Sequence, residues 1–298
     1  MIYDLVIIGA GPAGMTAAIY SARQKLKTLV ITKNFGGQMC NKAVDIENYP
    51  GFDKISGFDL ILKMEDQVRN KEVEILNDEV VDLKNDNDIF SILTKEGKNI
   101  ESKIVIIATG AKPRKLDVLG EEKFLGKGVS YCSTCDGPLF KNKDVVVVGG
   151  GDAGFETAIF LKKYANKIYL LESGSEVRAS RENQEKAQGI EIITSAKSKE
   201  IKGEDFVSQI VIEKDNQEKT IDVKGVFVQA GYVPATQFLN DLVDLNERKE
   251  VMVNLETFET KTKKLYAIGD INCQKVKQII VACGQGAQAV IHACKYLD

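Results

Sequence analysis

The sequence predicts an α/β protein with two units, each built on a mainly parallel sheet covered by helices. Three observations carry that expectation. A strand, a glycine-rich turn and an apolar helix follow one another twice, in "YDLVIIGAGPAGMTAAIYSARQ" and in "DVVVVGGGDAGFETAIFLKKY". The chain has 298 residues, enough for two cores, because single cores stop growing at about 250–300 residues. Two further stretches, "ATGAKPRK" and "GYVPATQF", carry glycine and proline at the ends of apolar runs, as linkers do.

In the first copy, Leu5 to Ile8 is a short run suited to a strand buried on both faces. Gly9, Gly11 and Gly14 then fit G-x-G-x-x-G, with Pro12 and Ala13 inside the motif. The first glycine allows the tight turn, the second lets the backbone approach a pyrophosphate, and the third lets helix and strand pack closely. The helix N-terminus offers free N–H groups and a positive dipole end to the phosphates. The next strand, "TLVIT", runs into Lys33 and Asn34 and lacks an acid for the ribose. The first nucleotide must therefore use other contacts. Candidates are Gly36, Gly37 and Gln38 in "FGGQ", Asn48 in "ENYPG", Ala108, Thr109 and Gly110 in "ATGAKP", and Gly269 and Asp270 in "YAIGD".

In the second copy, Val145 to Val148 is the strand, and Gly149, Gly151 and Gly154 form the turn with Asp152 beside them. The helix, expected from Phe155 onward, carries Glu156. The strand "KIYLLES" ends in Glu172, about 20 positions past the glycines, where an acid accepts hydrogen bonds from a ribose 2′-OH and repels a 2′-phosphate. The plainer alternative is a solvated strand-end charge. One site with extra glycine-rich loops beside one tidy dinucleotide site suggests two cofactors, a flavin dinucleotide and a nicotinamide dinucleotide.

Six cysteines fall at 40, 132, 135, 273, 283 and 294, and only Cys132 and Cys135 are close in sequence. The isolated four are expected to be buried apolar residues. A C-x-x-C can be a zinc half-site, a structural disulfide or a redox dithiol. Structural zinc needs four Cys or His ligands, and this chain has one such pair and one histidine, His292, set in an apolar pattern. No metal site is expected, and His292 reads as a packed residue. A structural disulfide fits poorly with a core-rich chain expected to be cytoplasmic. In a redox dithiol one thiol has a lowered pKa and attacks a partner disulfide, and the other resolves the mixed disulfide. Asp136 is placed to move protons to or from the thiols, or is a plain Asp-Gly turn residue.

Charge and hydropathy exclude other classes. Forty Lys+Arg against 43 Asp+Glu give a net charge of -3, with no basic excess for nucleic acid. The longest apolar run is broken by glycines and a proline, so neither a membrane span nor a signal peptide is expected.

The ordered set "GAGPAG", "GGQ", "ENYPG", "ATGAKP", "CSTCDG", "GGGDAG", "GYVPAT" and "IGD" resembles the low-molecular-weight thioredoxin reductases across nearly the whole chain. Within that group, "VDIENY", "YCSTCDGPLFKNK", "YLLE", "GVFVQAG" and "KQIIVACGQGA" are most similar to the reductase body of the alkyl hydroperoxide reductase flavoprotein subunit. The resemblance implies two Rossmann-like nucleotide-binding domains, the second inserted into the first. Residues 1–112 and 240–298 would form a discontinuous FAD-binding domain, and residues 113–239 a nicotinamide-binding domain carrying the cysteine pair, with the two crossings as a hinge.

The resemblance also implies roles. Cys135 would face the flavin and Cys132 would attack the partner. A helix starting near Gln278, Ile279 and Ile280 would turn its dipole to the reduced flavin. The implied activity is a disulfide reductase that passes electrons through FAD and the Cys132–Cys135 dithiol to a thioredoxin- or glutaredoxin-like protein, working as a homodimer. The chain starts two residues before its first expected strand, so the thioredoxin-like domains that precede the reductase body in the flavoprotein subunit are expected to be supplied by a separate protein. Where NADPH-using members show His-Arg-Arg and a further Arg, this chain has "ESGSEVR", and only Arg178 matches. Gly154 stands where those members often have alanine. Both departures point to NADH over NADPH. A ferredoxin-dependent branch also lacks the arginines but tends to lose the second glycine turn, which is intact here. An NADH oxidase and a non-enzymatic nucleotide-sensing interaction protein are the remaining alternatives.

Overall fold

The computed structural model describes residues 2–41, 46–71 and 73–297, the side chains of Cys40 and Asn41 excepted. The expected burial of Cys40, and Val44 and Asp45 of "VDIENY", therefore lie outside the described residues. Two compact units are present. One draws on residues up to 40, 46–112 and 233 onward, and the other runs Pro113–Tyr232.

The first unit opens with β1 (Ile2–Ala10), α1 (Pro12–Arg23), β2 (Thr28–Phe35), α2 (Gly57–Arg69), β3 (Glu74–Asn77), β4 (Val80–Asp86), β5 (Ile89–Thr94) and β6 (Asn99–Ile107). A crossing strand β7 (Ala111–Pro113) leads to β8 (Val129–Ser130), α3 (Ser133–Asp136), β9 (Val145–Val148), α4 (Asp152–Leu161), β10 (Ile168–Leu171), α5 (Arg181–Lys186) and β11 (Glu191–Ile193). Then come β12 (Lys197–Gly203), β13 (Val207–Lys214), β14 (Gln217–Asp222) and β15 (Gly225–Val228). The return crossing is β16 (Tyr232–Pro234), followed by β17 (Leu265–Ala267) and α6 (Ile279–Ala293). The crossing strands β7 and β16 pair with each other.

In the first unit the sheet order is β3-β2-β1-β6-β5-β4, and β17 adds to β6. Strands β1, β2, β3, β6 and β17 are parallel, whereas β4 and β5 are antiparallel. The unbroken apolar run of β1 follows from burial on both faces. Leu5 and Ile7 pack with Ala13, Met15 and Ala17 of α1 and Ala289 and Val290 of α6. Val6 and Ile8 pack on the other side with Phe90, Ile92, Phe238 and Leu239. The helices α1 and α6 lie close because small residues meet there: a Cβ on Gly286 would stand 2.4 Å from the carbonyl oxygen of Ala13.

In the second unit a parallel sheet runs β11-β10-β9-β15-β8. All four valines of β9 are buried, each worth about 1.5–3 kcal/mol of transfer free energy. Val145 and Val147 pack on Phe155, Ala158 and Leu161 of α4. Val146 and Val148 pack on Ile201, Ile210 and Ile212. Those residues belong to a separate antiparallel sheet, β12-β13-β14. Helices were expected over both faces, and here a small sheet covers one of them. The reason is local: Ile210 and Ile212, two apart on β13, present one apolar face to the parallel sheet. Helix α4 also starts three residues before the expected Phe155, because Gly151, in extended backbone, is its N-cap. Among the described residues no helix is long and apolar enough to cross a membrane.

Candidate functional site

The first glycine turn joins β1 to α1. Gly9 has φ +104°, a left-handed conformation, and a Cβ there would lie 2.5 Å from the carbonyl oxygen of Ala108. A Cβ on Gly14 would stand 1.9 Å from the Gly9 oxygen. At Gly11, the N-cap of α1, a Cβ would meet nothing within 4 Å. The turn is thus closed under its first and third glycines and open over its second. That shape, ahead of a helix N-terminus with Pro12 at its start, fits a pyrophosphate.

Distant loops converge on this turn within the first unit. Gly36 N–H donates to the Ala10 oxygen at 2.8 Å, and a Cβ on Gly37 would lie 3.7 Å from Gly11 Cα. Gln38 Nε2 donates to Asp270 Oδ2 at 3.1 Å. Asn48 Nδ2 donates to Gln278 Oε1 at 3.3 Å. Ala108 N–H donates to the Ile8 oxygen at 2.8 Å and Ala235 N–H to the Gly110 oxygen at 3.2 Å, while Thr109 Oγ1 donates to the Ala235 oxygen at 3.2 Å. Gln278 is the N-cap of α6, so Ile279 and Ile280 form its first turn, at the expected place.

Two braces here were not foreseen. Gly269, at φ +76°, donates its N–H to Gln285 Oε1 at 2.6 Å. Gln285 is buried on α6 and also accepts from Asn272 Nδ2 at 2.9 Å. Lys277 Nζ donates to the Asp270 oxygen at 3.2 Å and pairs with Glu250 at 3.1 Å. The available signal was a glutamine between two glycines in a largely apolar helix, where a buried amide needs a partner.

The second glycine turn repeats the first in the other unit. Gly149 has φ +131°, and a Cβ on Gly154 would lie 1.8 Å from the Gly149 oxygen. Gly151 again faces open space. Asp152 Oδ1 accepts from Ser180 N–H at 2.8 Å and Asn183 Nδ2 at 2.7 Å, which fastens the loop after β10 to α4. Glu156 is half-buried on α4.

Glu172 follows β10, as expected, but its carboxylate turns back on the turn itself and is only 4% exposed. Oε2 accepts from Gly150 N–H at 3.0 Å, and Oε1 from Gly174 N–H at 2.7 Å and Ser173 Oγ at 3.2 Å. The guanidinium of Arg178, 81% exposed, lies 3.5 Å from Oε2. Burial pushes the carboxyl pKa up, but the Gly174 and Gly150 N–H groups and Arg178 outweigh it and hold the group below its ordinary value of 4.5. The stability it contributes is then present above that ordinary value and is lost as pH falls through the lowered one. Acid unfolding of wild type is expected to steepen below pH 4.5, and Glu172→Gln to unfold at a less pH-dependent stability in that window. Denaturant titrations across the window check this, and parallel curves for the two proteins would remove Glu172 as the cause.

The cysteine pair lies in the same unit. Cys132 and Cys135 form a disulfide. Cys132 caps the single turn α3, and its Sγ accepts from Cys135 N–H at 3.2 Å. Cys135 is exposed and Cys132 half-buried. Ser130 Oγ accepts from Cys132 N–H at 3.0 Å and donates to the Cys132 oxygen at 3.1 Å. Asp136 is half-buried at the end of α3, its N–H donating to the Cys132 oxygen at 3.1 Å. The remaining cysteines divide. Cys283 is buried, whereas Cys273 and Cys294 are half-buried rather than enclosed, because they sit at a turn and past the end of α6. His292 Nδ1 lies 2.9 Å from Tyr266 Oη, a packed position in the first unit.

Comparison with known proteins agrees with this geometry. The model of the pyridine nucleotide-disulphide oxidoreductase family matches residues 3–286. An alkyl hydroperoxide reductase subunit of Staphylococcus aureus is 38% identical over 301 aligned residues, which cover 99% of this chain and 59% of the relative's length. The chain therefore spans about three-fifths of the curated relatives it matches. The thioredoxin reductase of Lactococcus lactis superposes with a TM-score of 0.94 at 36% identity over 99% of both chains. That of T. acidophilum superposes with a TM-score of 0.92 at 34% identity, over 100% of this chain and 99% of the other. With two glycine turns, a C-x-x-C disulfide and a family match along nearly its whole length, the chain belongs to the pyridine nucleotide-disulphide oxidoreductases, among relatives of the low-molecular-weight thioredoxin reductases.

Proposed function

We propose that the protein is an NADH-dependent flavin disulfide reductase whose Cys132–Cys135 pair reduces a thioredoxin- or glutaredoxin-like protein. One observation carries the reading: the disulfide sits in the same compact unit as an intact second dinucleotide turn, with Cys135 exposed and Cys132 Sγ on the Cys135 backbone N–H. Gly9, Gly11, Gly14, Gly36 and Gly37 would hold the FAD pyrophosphate, and Gln38, Asn48, Asp270 and the start of α6 its remaining parts. FAD bound there would supply two-electron chemistry between a nicotinamide and the disulfide.

The chain's own groups do the rest. In the reduced pair, the Cys135 N–H lowers the energy of a thiolate on Cys132. That thiolate attacks a partner disulfide, forming a mixed disulfide and releasing one partner thiolate. Cys135 then attacks Cys132 Sγ, which re-forms the internal disulfide and releases the second partner thiolate. Asp136, next to Cys135, exchanges the protons that these steps take up and release.

NADH preference follows from Glu172. Three short bonds occupy most of its acceptor capacity, and the long contact to exposed Arg178 is the one a ribose hydroxyl would replace. A 2′-phosphate at that place would meet a buried fixed carboxylate. Flavin-loaded protein mixed without oxygen with NADH, NADPH or reduced ferredoxin should lose its visible flavin absorbance fastest with NADH. Bleaching by ferredoxin alone would transfer the reading to the ferredoxin-dependent class. Glu172→Gln should reduce the NADH:NADPH ratio of kcat/KM by about tenfold, the scale of one lost charge-assisted bond.

A further inference from the structure

Beside the cysteine pair lies a buried carboxylate that the proposed chemistry does not use. Glu121 is 3% exposed. Its Oε1 accepts from Leu116 N–H at 2.9 Å and from Tyr131 Oη at 2.5 Å, and its Oε2 accepts from Asp117 N–H at 2.8 Å. Two of these donors lie in the segment just past the first chain crossing, and the third is on the residue before Cys132. Asp117 has φ +55°, a left-handed backbone disfavoured for a non-glycine residue, so the carboxylate holds a turn that would otherwise relax. The Tyr131 ring packs on the core that includes Phe124, Val129 and Val226. Burial, with the Glu121 carboxylate beside it, raises the Tyr131 pKa far above its ordinary value, so the phenol stays a donor. The rest of the redox turn is tied as closely: Ser130 brackets the Cys132 backbone, and Ser133 Oγ lies 3.4 Å from Thr157 Oγ1 of α4.

We propose that Glu121 and Tyr131 form a positioning clamp for the dithiol, in which the carboxylate fixes the phenol, the phenol fixes the chain entering Cys132, and Cys132 Sγ is thereby kept on the Cys135 N–H. The hydrogen bonds of Glu121 go to Tyr131 Oη and to the backbone N–H groups of Leu116 and Asp117, so the pair acts through the backbone. The clamp rests on the reading of Cys132–Cys135 as a redox couple and adds what sets its reactivity. A charge-assisted bond between buried partners is worth more than an ordinary one, and losing one partner leaves the other unsatisfied.

The test uses the full chain reduced with dithiothreitol, so neither nucleotide nor partner protein enters it. Iodoacetamide is added after removal of the reductant, and alkylation of Cys132 is followed by peptide mass analysis across a pH series. Tyr131→Phe removes one oxygen and leaves the packing intact. It should slow Cys132 alkylation at neutral pH by about tenfold, the lower end of what one charge-assisted bond supplies, and shift the midpoint of the pH profile upward. Glu121→Gln should do the same, and the double variant should be no slower than the slower single variant, because both act through one bond. If Glu121→Gln does not fold, Tyr131→Phe decides alone. An unchanged rate and midpoint in Tyr131→Phe, or additive losses in the double variant, overturn the clamp while leaving the redox couple standing. A disulfide that dithiothreitol leaves unreduced removes the redox couple, and the clamp with it.

Discussion

Cys135→Ser is expected to abolish turnover of a protein disulfide, by about 10³-fold or more, since losing one member of a unit that acts together removes nearly all of its effect. The reason lies in the order of the bonds. Cys132 keeps its N–H donor in the variant and can still attack a partner. The mixed disulfide then has no neighbouring thiol to resolve it. The protein should therefore accumulate as a one-to-one covalent complex that dithiothreitol releases. Reduction of bound flavin by NADH should continue, because the second glycine turn does not involve the sulfur. Non-reducing electrophoresis and anaerobic spectra read the two halves separately. Turnover within tenfold of wild type would eliminate Cys135 as the resolving group. Continued oxygen consumption at the wild-type rate, with no disulfide activity in either protein, would favour an NADH oxidase.

Gly14→Ala and Gly11→Ala should fail in opposite ways. A Cβ on Gly14 would lie 1.9 Å from the Gly9 oxygen and 3.2 Å from Ala108 Cβ. The carbonyl belongs to a turn that cannot move without lifting α1 from β1, so the variant should lose about 3 kcal/mol of stability, the upper end for overpacking. A Cβ on Gly11 meets nothing within 4 Å, and its backbone is extended, so the fold should be unaffected. The new methyl group would instead stand in the space assigned to the pyrophosphate. Gly11→Ala is expected to purify folded and colourless, and Gly14→Ala to show a lowered unfolding midpoint. Thermal unfolding without cofactor, together with flavin titration, separates them. Full flavin binding by Gly11→Ala would mean that the open space belongs to something else.

The same geometry bears on Gly154. An alanine there would need a wider turn, because a Cβ would fall 1.8 Å from the Gly149 oxygen. What read as a cofactor preference in the sequence is thus also a packing requirement of this particular backbone. Glu172 illustrates the converse. Its place after β10 was legible from spacing alone, because a parallel strand delivers its last residue to the same crevice as the glycine turn. That the carboxylate would turn inward onto the Gly150 and Gly174 N–H groups was not legible. Those donors are backbone groups, and no residue type announces them.

The sequence by itself determined the two glycine turns and the cysteine pair, because each depends on a few residues close together: a glycine where φ must be positive, a buried β-branched run, two cysteines three positions apart. Tertiary structure alone decided which loops meet. Gln38 reaches Asp270 and Asn48 reaches Gln278 across more than 200 positions. Gln285 supports Gly269, Glu121 holds Tyr131, and a small antiparallel sheet takes the face where helices were expected. Such pairings arise from the burial of polar groups that must find partners once water is excluded, and the choice among the available partners is made by packing over the whole unit.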